Sequence, residues 1–407
     1  MFAARFDNPQ RLHDARPASR RIALFMFDFG LTGVVINAVR IANALVTRGN
    51  DVTMLVCRNV GEGRHALDPR VHIALVPGPL LRAKRGVALA AAVPDLRRAL
   101  KALQPSVLLS VGNHGHLAAL IASQGLPGTR RVLRISNEPD HPGDGRIKRA
   151  MRRACQKAMI DRADQLLLVS PHLARTAVLQ RARTEGRAAI TPNGVDTQAV
   201  QARAQAPCEH RWIASNRPYV VTVGRLARQK NHRRLLEALA IANRTRDIGL
   251  MIVGGGSVDA FAALHAQANE LGIADRVELV GEVANPLPYV RAARAFVLPS
   301  LWEGFSNALL EALACGTPIV ASTTAGSAPD VLANGRYGLL VEPHDVNAMA
   351  AAILRQSSAN AIRPGERALD FEAGKAIVRV CLAMEQGPRT EAQPFPFPGH
   401  EADVVTV

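Results

Sequence analysis

Short apolar runs alternate with longer stretches of helical period along nearly the whole chain. Runs such as IALFMF, VTMLVC and LLLV lack strict in–out alternation, which marks strands buried in parallel sheet. The pattern predicts strands at Ile22–Phe27, Val52–Cys57, Val107–Val111, Val132–Ile135 and Leu166–Val169. Helices are predicted between them at Val35–Thr47, Pro94–Leu103, His116–Ser123, Ile147–Arg162 and Pro171–Arg181. A turn-rich segment, TPNGVD (Thr191–Asp196), then leads into a polar Ala/Gln-rich stretch of little periodicity. Beyond it the alternation restarts, with strands at Tyr219–Val223, Gly249–Val253, Arg276–Val280, Ala295–Leu298 and Pro318–Ser322. The accompanying helices are His232–Asn243, Asp259–Leu271, Pro288–Ala292, Asn307–Ala314, Ala328–Asn334 and Val346–Leu354, with a late one near Phe371–Glu385.

Such a chain folds as α/β, with two Rossmann-like, doubly wound parallel sheets. The expected organisation is a disordered tail over 1–20, an N-terminal domain over 21–196 and a linker over 197–216. A second domain follows over 217–365, then a helical segment over 366–386 packing back on the first domain, and a Pro-rich disordered tail over 387–407. Ligands of doubly wound sheets bind beyond the carboxyl ends of the strands, so two facing edges are expected to form a cleft.

With 407 residues and 48% apolar content, the chain can build two cores. The first twenty residues lack the apolar segment of a secretory signal, and no apolar run is long enough to span a membrane. Cys57, Cys155, Cys208, Cys315 and Cys381 are scattered and never form C-x-x-C, which points to free thiols, a cytoplasmic location and no metal centre. The formal charge of +16 fits either an Arg-rich solvated surface or an anionic partner.

The most informative stretch is PSLWEGFSNALLEALACGTPIVA, Pro299–Ala321. A buried strand runs into a loop carrying Glu303 and Gly304, and Ser306 or Asn307 caps a helix that ends at Cys315-Gly316. Glu311 lies on that helix. Gly304 allows close backbone approach, and the amides of Phe305, Ser306 and Asn307 open the helix toward a ligand. Carboxylates are strong acceptors for sugar hydroxyls, so Glu303 suits a hexose and Glu311 the ribose of a nucleotide.

This string resembles the motif of retaining GT-B glycosyltransferases of family 4, the group 1 glycosyl transferases, and the likeness extends over roughly residues 21–385. GRLARQKN (Gly224–Asn231), IVGGGS (Ile252–Ser257, with Gly254), PNGVD and RYGLLVEPHD (Arg336–Asp345) resemble further family segments in the same order. The resemblance implies that Arg225 and Lys230 bind the leaving diphosphate, where fixed cations stabilise the charge that gathers in the transition state. It implies retention by front-face attack, with the leaving phosphate helping to take the acceptor proton. It implies no cofactor and no essential metal, and no D-x-D grouping stands in a position to hold one.

In the first half, FDFGLTGVVIN (Phe27–Asn37) resembles the family's N-terminal glycine loop, with Gly33 the best match and Gly30 and Asp28 weaker ones. It departs from the commoner G-G-A-E form. Where family members often carry a histidine, this chain has RISNEPDH, so Asn137, Glu138 and His141 become acceptor-side candidates. His114, with His116 beside it, offers another at the end of a different strand.

The segment Gly145–Ala163 carries seven Lys/Arg against one Asp. Two readings stay open for it. Its apolar positions Ile147, Met151, Ala154, Ala158 and Ile160 lie on the sheet with the charges in water. Or Arg146–Arg162 docks to an anionic membrane or lipid-linked acceptor, making the chain peripheral on the inner face of the plasma membrane. The expected function is transfer of a hexose or N-acetylhexosamine from a nucleotide sugar, UDP-linked by resemblance, to a lipopolysaccharide, capsule, exopolysaccharide or lipid-linked acceptor. A sucrose- or trehalose-type synthase with a small soluble acceptor is the enzymatic alternative. A nucleic-acid binder is the other class, prompted by charge but lacking any helix-turn-helix, zinc or stacking-aromatic motif.

Overall fold

The computed structural model describes residues 19–30, 32–137 and 145–387. Glu138, His141 and the tails over 1–18 and 388–407 lie outside the described residues. The described chain separates into two compact units. One comprises the chain up to Ile135, with Ala154–Leu167 and the end of the last helix from Val380. The other comprises Ser136–Arg153 and Leu168–Arg379.

The first sheet has seven strands in the order β3-β2-β1-β4-β5-β6-β7. They are β1 (Arg21–Met26), β2 (Asp51–Val56), β3 (His72–Leu75), β4 (Val107–Ser110), β5 (Arg130–Ile135), β6 (Gln165–Leu168) and β7 (Ala188–Ile190). β1 runs parallel to both β2 and β4, with Ile22 level with Val52 on one side and Val107 on the other. Phe25, Leu55 and Leu108 from these strands meet Leu96, Leu100 and Ala119 from flanking helices in one core.

The second sheet has six strands in the order β10-β9-β8-β11-β12-β13, and every neighbouring pair is parallel. They are β8 (Tyr219–Val223), β9 (Gly249–Val253), β10 (Val277–Gly281), β11 (Ala295–Leu298), β12 (Ile319–Ser322) and β13 (Leu339–Val341). Successive strands first progress one way from β8, then the other way from β11, so the order reverses between these two. Leu235 and Leu239 of the helix His232–Ala242 and Met349 and Ile353 of the helix Val346–Gln356 share a core with Ile252, Val297 and Val320.

The expected two-sheet α/β architecture is present. β8, β9, β11 and the helices His116–Ser123 and Asn307–Ala314 stand at their predicted bounds. β3, β7 and β13 escape the hydrophobic pattern because they are short and only partly buried, so they need no apolar run. The helix predicted at Pro171–Arg181 divides into a 3₁₀ turn at Leu173–Arg175 and a helix at Ala177–Thr184. The stretch 197–216 carries a helix at Thr197–Ala204, whose first turn is held by the Asp196 carboxylate accepting from the Ala199 amide at 2.8 Å. Trp212 in the same stretch is buried, and a Cβ at Gly249 would lie 2.5 Å from its ring. The apolar stripe of the basic helix does not lie on the sheet: Ile147 and Met151 are exposed and only Ile160 is buried.

The last helix, Ala373–Gln386, serves both units at its two ends. Its start packs on the PNGVD segment, where a Cβ at Gly194 would lie 2.5 Å from the Ala373 Cα. At its end the buried Glu385 carboxylate accepts from Arg48 Nε at 2.9 Å and Nη2 at 2.6 Å. This two-pronged bond, more than any other nearby group, holds the Glu385 carboxyl below its ordinary 4.5. Two buried histidines work in the same direction. Burial pushes both His116 and His232 down from 6.5 to about 4, so both are neutral in the fold.

Acid therefore destabilises the protein in two steps. A histidine whose folded pKa is depressed contributes stability present above 6.5 and lost as pH falls toward about 4. Glu385 adds a contribution present above 4.5 and lost below it. Thermal midpoints measured from pH 8 downward are expected to fall from about pH 6.5, and Glu385→Gln is expected to flatten only the part below 4.5. Arg48→Ala is expected to cost about 1–3 kcal/mol at neutral pH by chemical denaturation. A second comparison tests the glycine turn of the second unit. Gly254 has φ +152° and a Cβ there would lie 2.1 Å from the Gly224 carbonyl oxygen, whereas Gly272, at φ +67°, faces open space. Gly254→Ala is expected to destabilise by more than about 2 kcal/mol and Gly272→Ala by about 1 kcal/mol.

Candidate functional site

The reversal between β8 and β11 leaves the loops after their carboxyl ends free to splay, which is where open α/β sheets take ligands. Two of the sequence motifs meet there. Gly224 follows β8 with φ +156°, and a Cβ would strike the Lys230 side chain at 2.8 Å. That lets the chain turn back so that Lys230 crosses beneath its own loop. Lys230 Nζ reaches Glu303 Oε1 at 2.6 Å, and Ser300 Oγ donates to the same oxygen at 2.9 Å. Glu303 is 8% exposed, so this carboxylate is held almost out of water between a cation and a hydroxyl.

The two loops are stitched further along. The Leu301 amide donates to the Gln229 carbonyl at 2.8 Å, and Gln229 Nε2 donates to the Trp302 carbonyl at 2.8 Å. Asn231 sits in the left-handed region at φ 55° and its amide nitrogen donates to the carbonyls of Pro299 at 3.1 Å and Pro343 at 3.0 Å. One asparagine thus pins the loops that follow β8, β11 and β13. The Gly-rich turn after β9 lies alongside: Leu226 N donates to Gly255 O at 2.8 Å, and a Cβ at Gly256 would lie 2.6 Å from the Leu226 Cβ.

Gly304 is tightly enclosed, since a Cβ there would fall 1.8 Å from the Ser136 carbonyl oxygen. Its requirement for glycine is met by protein backbone. Gly326, at φ +55°, is similarly pressed on the Glu303 carbonyl. Ser306 caps the following helix by accepting from the Leu309 amide at 3.3 Å, and Asn307 Oδ1 accepts from Asn193 of the PNGVD segment at 2.9 Å. The helix closes with Gly316 at φ +70° and the Thr317 amide returning to Ala312 O. Phe305 is buried with its ring 6.1 Å from that of Phe371, so its side chain is committed to packing. Glu311 is half-buried on the same helix. Arg225 is exposed on the loop that carries Lys230.

The remaining candidates stand elsewhere. Asn137 is exposed just beyond β5. Gly33 is the first residue of the helix Gly33–Thr47, capped by Thr32. Gly30 and Asp28 precede it, with Asp28 Oδ1 accepting from the Gly30 amide at 3.2 Å and its other oxygen 3.8 Å from Arg85. His114 is exposed after β4, while His116 is buried with Nδ1 2.8 Å from Ser110 Oγ. Ser300, Gln229, Asn231 and Asn193 were not singled out from sequence. Their signals were weak: a serine at a strand end, and amide side chains inside motifs read for their charges and glycines.

The chain matches two family models, "Glycosyl transferase 4-like domain" over residues 32–194 and "Glycosyl transferases group 1" over residues 217–358. It is 31% identical over 173 residues to a Campylobacter jejuni enzyme, N-acetylgalactosamine-N,N'-diacetylbacillosaminyl-diphospho-undecaprenol 4-alpha-N-acetylgalactosaminyltransferase. That match covers 42% of this chain and 46% of the relative. It is 36% identical over 174 residues to a GDP-mannose-dependent alpha-(1-6)-phosphatidylinositol monomannoside mannosyltransferase of Mycolicibacterium smegmatis, covering 40% of this chain and 45% of the relative. The chain spans about half the length of the curated relatives it matches. Among solved structures, sucrose-phosphate synthase from Thermosynechococcus elongatus superposes with a TM-score of 0.74 at 21% identity, covering 90% of this chain and 98% of that one. Anabaena HepE in complex with UDP-glucose gives 0.72 at 17% identity, covering 90% and 100%. These last likenesses are of fold. With both halves matched in order and the two-sheet architecture in place, the chain belongs to the group 1 glycosyl transferases, family 4, of GT-B fold.

Proposed function

We propose that this chain is a retaining glycosyltransferase that moves a hexose or N-acetylhexosamine from a nucleotide sugar to a lipid-linked or cell-surface glycan acceptor. The observation that carries the reading is the Lys230–Glu303 contact of 2.6 Å at the sheet reversal. A cation for the diphosphate and a carboxylate for the hexose are pre-set against each other, each holding the other's geometry while the donor is away. The incoming diphosphate competes for Lys230. Glu303 keeps the Ser300 hydroxyl and turns its released acceptor capacity to a sugar hydroxyl. Arg225, exposed on the same loop, adds the second charge. Glu311 on the helix Asn307–Ala314 takes the ribose hydroxyls.

Charge on the departing diphosphate is met by these two side chains, and no metal is assigned to the step. The acceptor attacks the same face that the diphosphate leaves, and a phosphate oxygen takes its proton. Asn137 and His114 are the described acceptor-side candidates. The diphospho-undecaprenol and phosphatidylinositol acceptors in the relatives' names support a lipid-linked acceptor. UDP-sugars are the first donors to test because solved neighbours carry UDP or UDP-glucose; the GDP-mannose of the mycobacterial relatives is the rival.

The test is a transfer assay on the full chain, with donors ranked beforehand by thermal shift, since a bound donor raises the midpoint by mass action. Lys230→Ala and Arg225→Ala are each expected to lower kcat by about 10²–10³-fold. Glu311→Ala is expected to raise the donor KM. Lys230→Ala also strands the Glu303 carboxylate and is expected to cost about 1–3 kcal/mol, which Lys230→Ala/Glu303→Gln restores without restoring turnover. Wild-type turnover in Lys230→Ala, or an unchanged donor KM in Glu311→Ala, refutes the site.

A further inference from the structure

The amino ends of β1, β4 and β5 frame a pocket of about 750 Å3 in the first unit. Its walls are the end of the helix Val93–Leu103, the turn over 126–129 and the chain entering β1. Doubly wound sheets take their substrates at the other, carboxyl ends of the strands. Yet this pocket has the volume of a small-molecule site, and its charge has one sign. Arg20, Arg21 and Lys101 line it, and no described residue of its wall is acidic. Two of these cations are fixed by backbone. Arg21 Nη1 donates to the Leu103 carbonyl at 3.0 Å, and Arg20 Nη1 donates to that of Glu385. A carbonyl orients a guanidinium without neutralising it.

Acids in the neighbourhood are engaged elsewhere. The Glu385 carboxylate holds Arg48, and Asp164 holds Arg131 at 2.7 and 2.9 Å. Asp51, level with Arg21 across the β1–β2 pairing, is exposed and forms no ion pair among the described residues. Arg130 follows Thr129 of the wall and opens β5. Its Nε and Nη2 are buried with no hydrogen-bond partner among the described residues. Burial first, and then the charge of Arg20, pushes its guanidinium below the ordinary range, and Asp164 offsets only part of this. A phosphate against Arg20 supplies the missing negative charge. The rest of the wall specifies what the phosphate is attached to. Ser106 Oγ donates to the Arg21 carbonyl at 3.0 Å and Thr129 Oγ1 to that of Pro105 at 2.8 Å, so both hydroxyls keep acceptor capacity, and Gln104 adds an amide. Leu100 and Leu126 are aliphatic, and no described aromatic ring lines the wall for a nucleobase to stack on. We infer that this pocket binds a phosphorylated sugar or polyol, its phosphate on Arg20, Arg21 and Lys101 and its hydroxyls on Gln104, Ser106 and Thr129. The pocket lies at the opposite end of β4 from the acceptor-side candidate His114, so its ligand is an effector and not a reactant. The site stands whether or not the chain transfers a sugar.

The experiment is calorimetric titration of the full chain with ribose 5-phosphate, without any nucleotide sugar, and with inorganic phosphate and ribose as separate arms. Ribose 5-phosphate is expected to bind wild type, inorganic phosphate to bind several-fold more weakly, and ribose not to bind. Lys101→Gln and Arg20→Gln are each expected to weaken ribose 5-phosphate about ten-fold or more, the loss of one charge-assisted bond. Lys101 is exposed, so Lys101→Gln should melt as wild type does without ligand, and its loss of affinity reads the site and not the fold. Arg225→Ala and Lys230→Ala, in the second unit, are expected to bind ribose 5-phosphate as wild type does. Equal affinity of wild type and Lys101→Gln overturns the inference, as does absence of binding to wild type. Loss in Lys230→Ala with retention in Lys101→Gln would assign the phosphate to the donor site and overturn it equally. Inorganic phosphate binding as tightly as ribose 5-phosphate would overturn the choice of a phosphorylated sugar.

Discussion

The second unit depends on one constraint: the loops that leave β8 and β11 must be held together where the strand order parts. Parallel sheets offer no backbone ladder across such a reversal beyond the paired strands themselves. The chain supplies the connection with one backbone bond, from the Leu301 amide to the Gln229 carbonyl, and otherwise with side chains. Lys230 reaches Glu303, Gln229 reaches the Trp302 carbonyl, and Asn231 reaches those of Pro299 and Pro343. Three successive residues of one loop thus fix two neighbouring loops, those that follow β11 and β13. A largely buried charge pair is a demanding choice for this purpose, because desolvation offsets much of its Coulomb gain. What it provides is a geometry that a phosphate can exchange into, since the ammonium is already oriented and already has an anionic oxygen at its tip.

The glycines of the site divide by what presses on them. Gly224 and Gly254 carry positive φ: the Lys230 side chain presses on Gly224, and Gly254 lies against the Gly224 backbone, so that two strand ends and their turns lie closer than any side chain permits. Gly304 and Gly326 are pressed by backbone around the Glu303 loop, one by Ser136 and the other by Glu303 itself. The motif's small residues therefore set the position of the carboxylate by close packing. That differs from the sequence-based expectation, in which Gly304 made room for a ligand. The sugar-binding role proposed for this loop rests on Glu303 and its two partners.

Much of this was legible in the sequence because buried parallel strands must be continuously apolar. β8, β9 and β11 announce themselves as YVVTV, GLMIV and AFVL. The Asn307–Ala314 helix carried both of its stop signals in CGTP. Pairing was not legible: Lys230 and Glu303 lie far apart in the chain, and nothing in either motif says that one faces the other. Nor was the role of Asn231, whose left-handed backbone and double donation follow from where β13 ends. β3, β7 and β13 were missed because short, half-exposed edge strands need no hydrophobic signature. The helix Arg146–Arg162 was found, but periodicity fixes only that its apolar residues share a face. Which way that face points is decided by tertiary packing.

Hydrogen–deuterium exchange on the full chain, with and without a panel of nucleotide sugars, tests the central claim most directly. A donor that engages the reversal is predicted to slow exchange in the segments 224–231, 252–257 and 299–311, while leaving the amides of β3 and of the helix Arg146–Arg162 unchanged. Protection confined to other segments by a donor that raises the melting temperature would contradict the assignment of the site.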